Sequence, residues 1–277
     1  MKDLQTEAEK KPFAAAVKAL WIEMFEDKES YVDHYMSSSW KHNRVLLLLR
    51  GEEIVSMLHL NPYTCIVQGE RLDLHYIVGV CTKKAEQGKG YMGQLVTEAL
   101  RICKEDGEPF TYLMPAAEAI YRPYDFVSAG WCDKFVIEAE EADPSLPQAR
   151  WDAIVPELGQ AGSIQNVGNH TLQICPFDRW TAGQTKQLES FAAELPMDMH
   201  AAWTAAYFAE TDQQMKCYDG ELVAVWDQEK PIAIAAYLCE EDQSEAEITH
   251  VLAAKQYQKL VCRQLAEYVL SLIHISE

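Results

Sequence analysis

Basic residues are scarce in this chain of 277 residues, which has 24 lysines and arginines against 43 aspartates and glutamates. The resulting formal net charge of −19 would repel polyanions. The composition therefore argues against general binding to nucleic acids or to anionic membrane surfaces. Any phosphate-bearing ligand would need a local site that offsets this charge.

Long apolar runs are also missing. The longest, VLLLL and IAIAAYLC, are far shorter than the roughly 20 apolar residues that cross a bilayer. The opening residues, MKDLQTEAEKKPF, are rich in charge and lack the apolar centre of a signal peptide. We therefore expect a cytoplasmic protein without a membrane partner.

Cysteine pairs at metal-binding spacing are absent as well, because none of the eight cysteines stands in a C-x-x-C pair. They lie on apolar-patterned segments, which predicts reduced, mostly buried thiols and neither a metal site nor a disulfide framework. The chain also lacks a G-x-S-x-G motif, and no serine or cysteine pairs with its histidines at motif spacing. A nucleophilic hydrolase is therefore disfavoured.

The order of elements predicts a mixed central sheet flanked by helices, an α/β (α+β) fold. Two helices at 12–25 and 30–38 open the chain, and a strand hairpin, a third strand, a glycine-rich loop and a helix follow. FTYLM then predicts a strand, AAEAIYRPYDF a short helix and WCDKFVIEAE a last strand. We expect a first domain over residues 1–140 and a linker over 141–168.

Residues 169–277 repeat the first half weakly, with two helices, a hairpin, a strand and a helix in the same order. This second copy has no glycine from Val251 to Glu277, so its loop cannot bring the backbone against a phosphate in the same way. It also stops after the helix. We expect a degenerate, structural domain that is incomplete at its C-terminal end.

The glycine-rich loop contains G-x-G-x-x-G at Gly88, Gly90 and Gly93. A dinucleotide site would need its first glycine almost directly after the strand and an acid after the next strand, where Pro115 stands instead. A nucleotide-hydrolysing P-loop would need a serine or threonine after Lys89, where Gly90 stands. Neither site is expected here.

A strand, the loop TKKAEQGKG and a helix in this order predict a pyrophosphate cradle at the helix N-terminus. Lys83, Lys84 and Lys89 against Glu86 give the loop a local charge of about +2, which would attract an anion. The alternative to a pyrophosphate cradle is an ordinary solvent-exposed loop that its glycines make flexible.

At IVGVCTKKAEQGKGYMGQL and LMPAAEAIYRPYDF the chain resembles the GNAT superfamily of N-acetyltransferases, and most closely its tandem-domain enhanced-intracellular-survival (Eis-like) type. The resemblance implies transfer of an acetyl group from acetyl-CoA to a primary amine of a small molecule or peptide. It departs at Met92, which holds the position of the family's final small residue, with Gly93 one step later left to allow close helix packing. The implied acetyl-CoA contacts are Val78, Val80 and Thr82 on the strand and Gln87, Gly88, Lys89, Gly90, Tyr91 and Met92 in the loop and helix.

The resemblance also implies that Tyr121 is the general acid, because a neutral tyrosine hydroxyl can protonate a leaving thiolate. Tyr124, three residues later, is expected to pack in the core. The general base stays open among Glu118, His75 and Asp73. A non-catalytic acyl-CoA-binding or protein-interaction module remains the alternative, and only Tyr121 distinguishes it from an enzyme, because catalysis needs this residue and binding alone does not. The sequence leaves the oligomeric state open, a homo-oligomer included.

Overall fold

The computed structural model describes residues 1–130, 135–138, 172–239 and 245–273, which form two compact units. The first unit comprises Met1–Gly130 and Met197–Ala202, and the second contains the other described residues. The predicted linker over 141–168 lies outside the described residues. No helix in the described ranges combines the length and apolar character needed to cross a membrane.

The elements of the described residues are numbered in chain order through both units. The strands are β1 Lys2–Leu4, β2 Arg44–Arg50, β3 Glu53–Val67, β4 Glu70–Thr82, β5 Phe135–Glu138, β6 Leu172–Pro176, β7 Met199–Ala201, β8 Glu221–Asp227, β9 Lys230–Cys239 and β10 Glu245–Ala253. The α-helices are α1 Glu7–Lys10, α2 Ala14–Met24, α3 Glu29–Ser37, α4 Ser39–His42, α5 Tyr91–Glu105, α6 Glu118–Tyr121, α7 Ala182–Glu194, α8 Ala205–Lys216 and α9 Gln258–Ile273.

The first unit is an antiparallel sheet in the order β1-β2-β3-β4, with β7 paired to the far end of β3 at Cys65–Val67. The expected opening helices are confirmed as α2 and α3, and the expected hairpin as β2 and β3. The sheet is covered on both faces, which explains why β2 reads as an unbroken apolar run. Val45 and Leu47 face one side, and Leu46 and Leu48 face the other.

Two buried clusters hold this unit together, one on each face of the sheet. The α2 cluster contains Leu4, Val17, Leu20, Trp21, Val32, Tyr35, Trp40, Val45, Leu47, Ile54, Met57 and Cys81. The α5 cluster contains Leu46, Leu48, Val55, Leu58, Leu60, Ile77, Leu95, Val96, Ala99, Ile102 and Cys103.

A bulge at Gly79 interrupts β4. The pairing of β3 with β4 shifts there, and Gly79 has a left-handed φ of 62°. A Cβ at this position would lie 2.8 Å from Trp21 Cζ3, so the close packing of Trp21 also requires glycine. The period-two alternation of apolar residues from Leu72 to Val80 predicts one face for Val78 and Val80, and this is wrong. The inserted residue changes the phase, so Val78 packs against the α2 cluster and Val80 against the α5 cluster.

The segment 110–114, predicted as a strand, forms only a single parallel bridge between Tyr112 and Tyr76. The amide of Ile77 donates to the Tyr112 carbonyl at 2.9 Å, and the Thr111 hydroxyl donates to the His75 carbonyl at 2.6 Å. Among the described residues no further strand pairs with this outer edge of β4. The backbone edge of Val78–Cys81 is therefore open to a ligand, whereas the Thr82 carbonyl is engaged by Gln87.

The second unit is an antiparallel sheet in the order β5-β10-β9-β8-β6. It repeats the sequence of two helices, hairpin, strand and helix as α7, α8, β8, β9, β10 and α9. The division between units differs from the predicted boundary at residue 140. β5 pairs with β10 and so belongs to the second unit, whereas β7, from the second half of the sequence, belongs to the first.

Candidate active site

The glycine loop leads into the N-terminus of α5, where the sequence predicts an anion site. Gly90 is the N-cap residue with φ 76°, and Gly88 has φ 77°. Both lie in open space, because a Cβ at either position would meet nothing within 4 Å, so the backbone conformation itself calls for glycine. No side chain caps the helix, and its first turn carries no acidic residue. The first N–H groups of α5 are therefore available to an anion.

Glu86 holds the loop in place through two ion pairs, a role that the sequence does not predict. Its side chain is buried and pairs with Lys89 Nζ at 2.8 Å and with the Arg50 guanidinium. Lys83 pairs with Glu53 at 2.7 Å. Arg50 ends β2 and Glu53 begins β3. They add one charge of each sign, so the expected positive excess of the loop is retained.

Gln87 fixes the other side of the loop. Its Nε2 donates to the Thr82 carbonyl at 3.2 Å, which ties the loop to the end of β4. The Thr82 hydroxyl in turn lies 2.8 Å from Ser56 Oγ on β3. These bonds connect the loop to the end of β4 and the end of β4 to β3.

Gly93 allows close packing on the first turn of α5, as the sequence predicts. A Cβ at this position would lie 2.3 Å from Tyr124 Oη and 3.2 Å from its Cζ. Tyr124 itself packs against the α5 cluster. The helix and the segment after α6 can approach each other only because no side chain stands between them.

Replacing Gly93 with alanine is expected to lower the free energy of unfolding by about 1–3 kcal/mol, because the new methyl group overpacks this contact. Helix propensity alone predicts the opposite sign, a gain of up to about 1 kcal/mol. In a Tyr124→Phe background the loss should shrink, since the nearest atom is gone. Urea unfolding of the wild type, the two single variants and the double variant measures the coupling energy between Gly93→Ala and Tyr124→Phe. A stabilising Gly93→Ala substitution would contradict the packing role.

Tyr121, the predicted general acid, lies on α6 and is half buried. It packs against the α5 cluster, as do Val80, Tyr91 and Met92, which the sequence assigns to acetyl-CoA. Its ring also packs edge-on against Phe126 with centroids 5.7 Å apart. Burial raises the pKa of the Tyr121 hydroxyl above its ordinary value, and Tyr76 raises it further. The hydroxyl is therefore a protonated donor at neutral pH.

Glu118 begins α6, but its carboxylate is already engaged. It accepts from Ser128 Oγ at 2.8 Å and pairs with Arg122 at 2.9 Å. The Ser128 hydrogen bond, followed by the Arg122 interactions, lowers the pKa of Glu118. This makes it a weaker base than an ordinary glutamate.

The other two base candidates also have partners. His75 Nδ1 contacts the carboxylate of Glu108, and Asp73 accepts from Thr64 Oγ1 at 2.6 Å. His75 lies near Cys103 on the last turn of α5. Cys103 is twelve residues along the helix from Tyr91, or about 18 Å. The structure does not bring His75 to the glycine loop.

The three β4 contacts predicted for acetyl-CoA divide between the two faces of the sheet. Val80 packs against the α5 cluster, together with Tyr121, whereas the Val78 side chain packs against the α2 cluster on the opposite face. Val78 could therefore meet a ligand on the α5 side only through its backbone. Thr82 is half buried where β4 enters the loop.

Comparison with known proteins matches residues 8–129 to the family model described as acetyltransferase (GNAT) domain. No curated protein sequence matches the chain. The fold is similar to that of a conserved protein from Enterococcus faecalis V583 described as a probable N-acyltransferase, with 14% identity and a TM-score of 0.56 over 99% of this chain and 62% of that one.

Two further solved structures show the same likeness. Eis1 from Mycobacterium abscessus is 13% identical, with a TM-score of 0.54 over 87% of this chain and 55% of that one. A GCN5-related N-acetyltransferase from Kribbella flavida is 13% identical, with a TM-score of 0.54 over 97% and 62% of the two chains. This chain thus spans less than two thirds of the length of these proteins, and at such identities the likeness concerns the fold.

Proposed function

We propose that this chain transfers an acetyl group from acetyl-CoA to a primary amine of a small molecule or peptide, because residues 8–129 match the family model described as acetyltransferase (GNAT) domain. The observation that carries the proposal is the N-terminus of α5, with its left-handed glycines, next to the part of β4 beyond Ile77 that no strand among the described residues pairs with. The helix N-terminus suits a pyrophosphate group, and the strand edge suits an extended part of the ligand that carries amides.

In this proposal the pyrophosphate of acetyl-CoA binds at Gly88–Gly90 and the first N–H groups of α5. Lys89 supplies positive charge, while its ion pair with Glu86 keeps the loop in shape. The main-chain groups and side chains of Gln87, Tyr91 and Met92 complete the rim. The positive end of the helix dipole then favours the anion within a chain whose net charge is −19.

The pantetheine arm would lie along β4 beyond Ile77. Its amides can pair with the open backbone edge of Val78–Cys81 in the manner of an added strand. The bulge at Gly79 leaves backbone groups outside the β3–β4 ladder at this point. The thioester would then lie next to the α5 cluster, on the face that Val80 and Tyr121 share.

The chemistry is a direct transfer. The amine nitrogen attacks the thioester carbon, the carbon–sulfur bond breaks, and Tyr121 donates its proton to the leaving thiolate. The amine loses a proton to water, and Tyr121 regains its proton from water, so that the hydroxyl is restored for the next turnover. We assign the role of general base to neither Glu118 nor His75, because the side chain of each already has a hydrogen-bond partner.

The strongly acidic composition would steer cationic amines towards the protein. A cytoplasmic location fits the same proposal, because Cys65, Cys81 and Cys103 in the first unit are free thiols, as a reducing compartment maintains them.

Calorimetry with acetyl-CoA, followed by a screen of amines with a free-thiol reagent, tests this function on the 277-residue chain. We expect saturable binding and thiol release that depends on the amine. Absence of acetyl-CoA binding would overturn the proposal. Binding without thiol release for any amine would instead favour a non-catalytic acyl-CoA-binding module.

A further inference from the structure

At the end of α5 remote from the glycine loop, three side chains with different donor atoms converge. His75 on β4, Cys103 on the last turn of α5 and Glu108 just after the helix each offer one ligand atom, and these atoms all lie within 4.8 Å of one another. The group combines an imidazole nitrogen, a sulfur and a carboxylate oxygen. Ordinary clusters of surface acids offer only oxygen.

The end of α5 explains why Cys103 and Glu108 are neighbours. Gly107, with φ 81°, turns the chain back, so that the Glu108 amide donates to the Cys103 carbonyl at 2.9 Å and the Gly107 amide donates to the Lys104 carbonyl at 3.2 Å. This is a Schellman motif, in which two backbone bonds fix the residues on either side of the turn. The spacing between the two side chains is thus set by the backbone.

The third donor is fixed from β4. The His75 amide donates to Glu108 Oε2 at 2.9 Å, and the His75 carbonyl accepts from Thr111 Oγ1 at 2.6 Å. Its Nδ1 faces the other oxygen of Glu108. The Cys103 and Glu108 side chains are buried, while the His75 side chain keeps 21% of its surface exposed. An ion could therefore enter from the His75 side.

We propose that His75, Cys103 and Glu108 bind a zinc ion. A thiolate, an imidazole and a carboxylate are the ligand types that Zn²⁺ takes in tetrahedral sites, and the fourth position would hold water. The ion would replace the thiol proton of Cys103, which leaves to solvent, and His75 would bind through Nδ1 as a neutral imidazole with its proton on Nε2. It would fasten the middle of β4 to the C-terminal end of α5.

This site does not depend on the proposed acetyl transfer, and it lies about 18 Å along α5 from the predicted anion cradle. The sequence predicts no metal because its eight cysteines show no motif spacing. The three ligands stand at positions 75, 103 and 108, a spacing that carries no signal until the fold brings them together.

Titration of the metal-free full chain with Co²⁺ tests the site directly. We expect one equivalent of Co²⁺ to give a thiolate-to-metal charge-transfer band and the visible bands of tetrahedral cobalt, and we expect Zn²⁺ to abolish both. Cys103→Ser should lose the charge-transfer band. Cys81→Ser, which removes another buried thiol of the same unit on the other face of the sheet, should keep it.

A second measurement keeps the test decisive should Cys103→Ser fail to fold. His75→Asn changes a partly exposed side chain, and it should weaken Zn²⁺ at least tenfold in competition with a chromophoric chelator. Absence of the cobalt bands in the folded wild-type chain would overturn the proposal. So would a charge-transfer band that Cys81→Ser removes, or a Zn²⁺ affinity that His75→Asn leaves unchanged.

Discussion

Replacing Gly90 with valine is expected to weaken acetyl-CoA binding at least tenfold. Gly90 caps α5 in the left-handed conformation, with φ 76°. This conformation costs an ordinary L-residue about 1–2 kcal/mol, and a β-branched residue more, so valine should pull the backbone towards negative φ. The N–H groups of the first turn would then no longer point at the phosphate. A loss of about 1.4 kcal/mol in binding corresponds to the tenfold effect, which calorimetry can measure.

Gly69→Val provides the matched control. Gly69 has φ 84° in the turn between β3 and β4, and a Cβ there also meets nothing within 4 Å. The two substitutions therefore impose similar backbone strain, but only one lies in the proposed cradle. We expect Gly69→Val to lower stability and leave acetyl-CoA affinity unchanged. Equal affinities for wild type and Gly90→Val, or an equal loss in both variants, would contradict the cradle.

Much of the first unit could be predicted because its signals are local. The helical spacing of apolar residues indicates α2 and α5, the turn at 50–53 indicates the β2–β3 hairpin, and Gly107 marks the end of α5. The role of Gly93 could also be predicted, since glycine in the first turn of a helix calls for a packing reason. The structure supplies that reason as Tyr124.

The errors arise where tertiary contacts override a local pattern. Alternation along β4 puts Val78 and Val80 on one face, but the Gly79 bulge, filled by Trp21 from α2, separates them. FTYLM has strand composition, yet only Tyr112 pairs with β4. Nothing local indicates that β5 joins the second sheet or that β7 joins the first, because pairing partners distant in sequence decide both.

The candidate site shows the same division. The glycines of the loop can be read from the sequence because each reports its own backbone conformation. Whether a carboxylate or an imidazole is free to act as a base depends on its hydrogen-bond and ion-pair partners, and these partners are distant in the sequence. Glu86 meets Arg50 at the end of β2, and His75 meets Glu108 from the far side of α5. Sequence spacing therefore names candidate acids and bases without saying which are already engaged.

Tyr121→Phe is expected to lower kcat about a hundredfold or more while changing the affinity for acetyl-CoA less than twofold. The substitution removes only the hydroxyl that would protonate the leaving thiolate, a step in which general acids contribute at least that factor. The ring and its contacts with Phe126 and the α5 cluster remain. Steady-state kinetics with a thiol readout, alongside calorimetry, separates turnover from binding.

Tyr124→Phe makes the same chemical change three residues later, at a ring that packs against Gly93, and it should leave kcat within about twofold of the wild-type value.

The pH profile of kcat gives a second check on the Tyr121 assignment. The pKa of Tyr121 is raised, so its hydroxyl stays protonated from neutral pH to beyond the ordinary tyrosine pKa of about 10. Deprotonation of Tyr121 should therefore cause no loss of kcat below about pH 10. A Tyr121→Phe enzyme with wild-type kcat would remove the acid assignment while leaving acetyl-CoA binding intact.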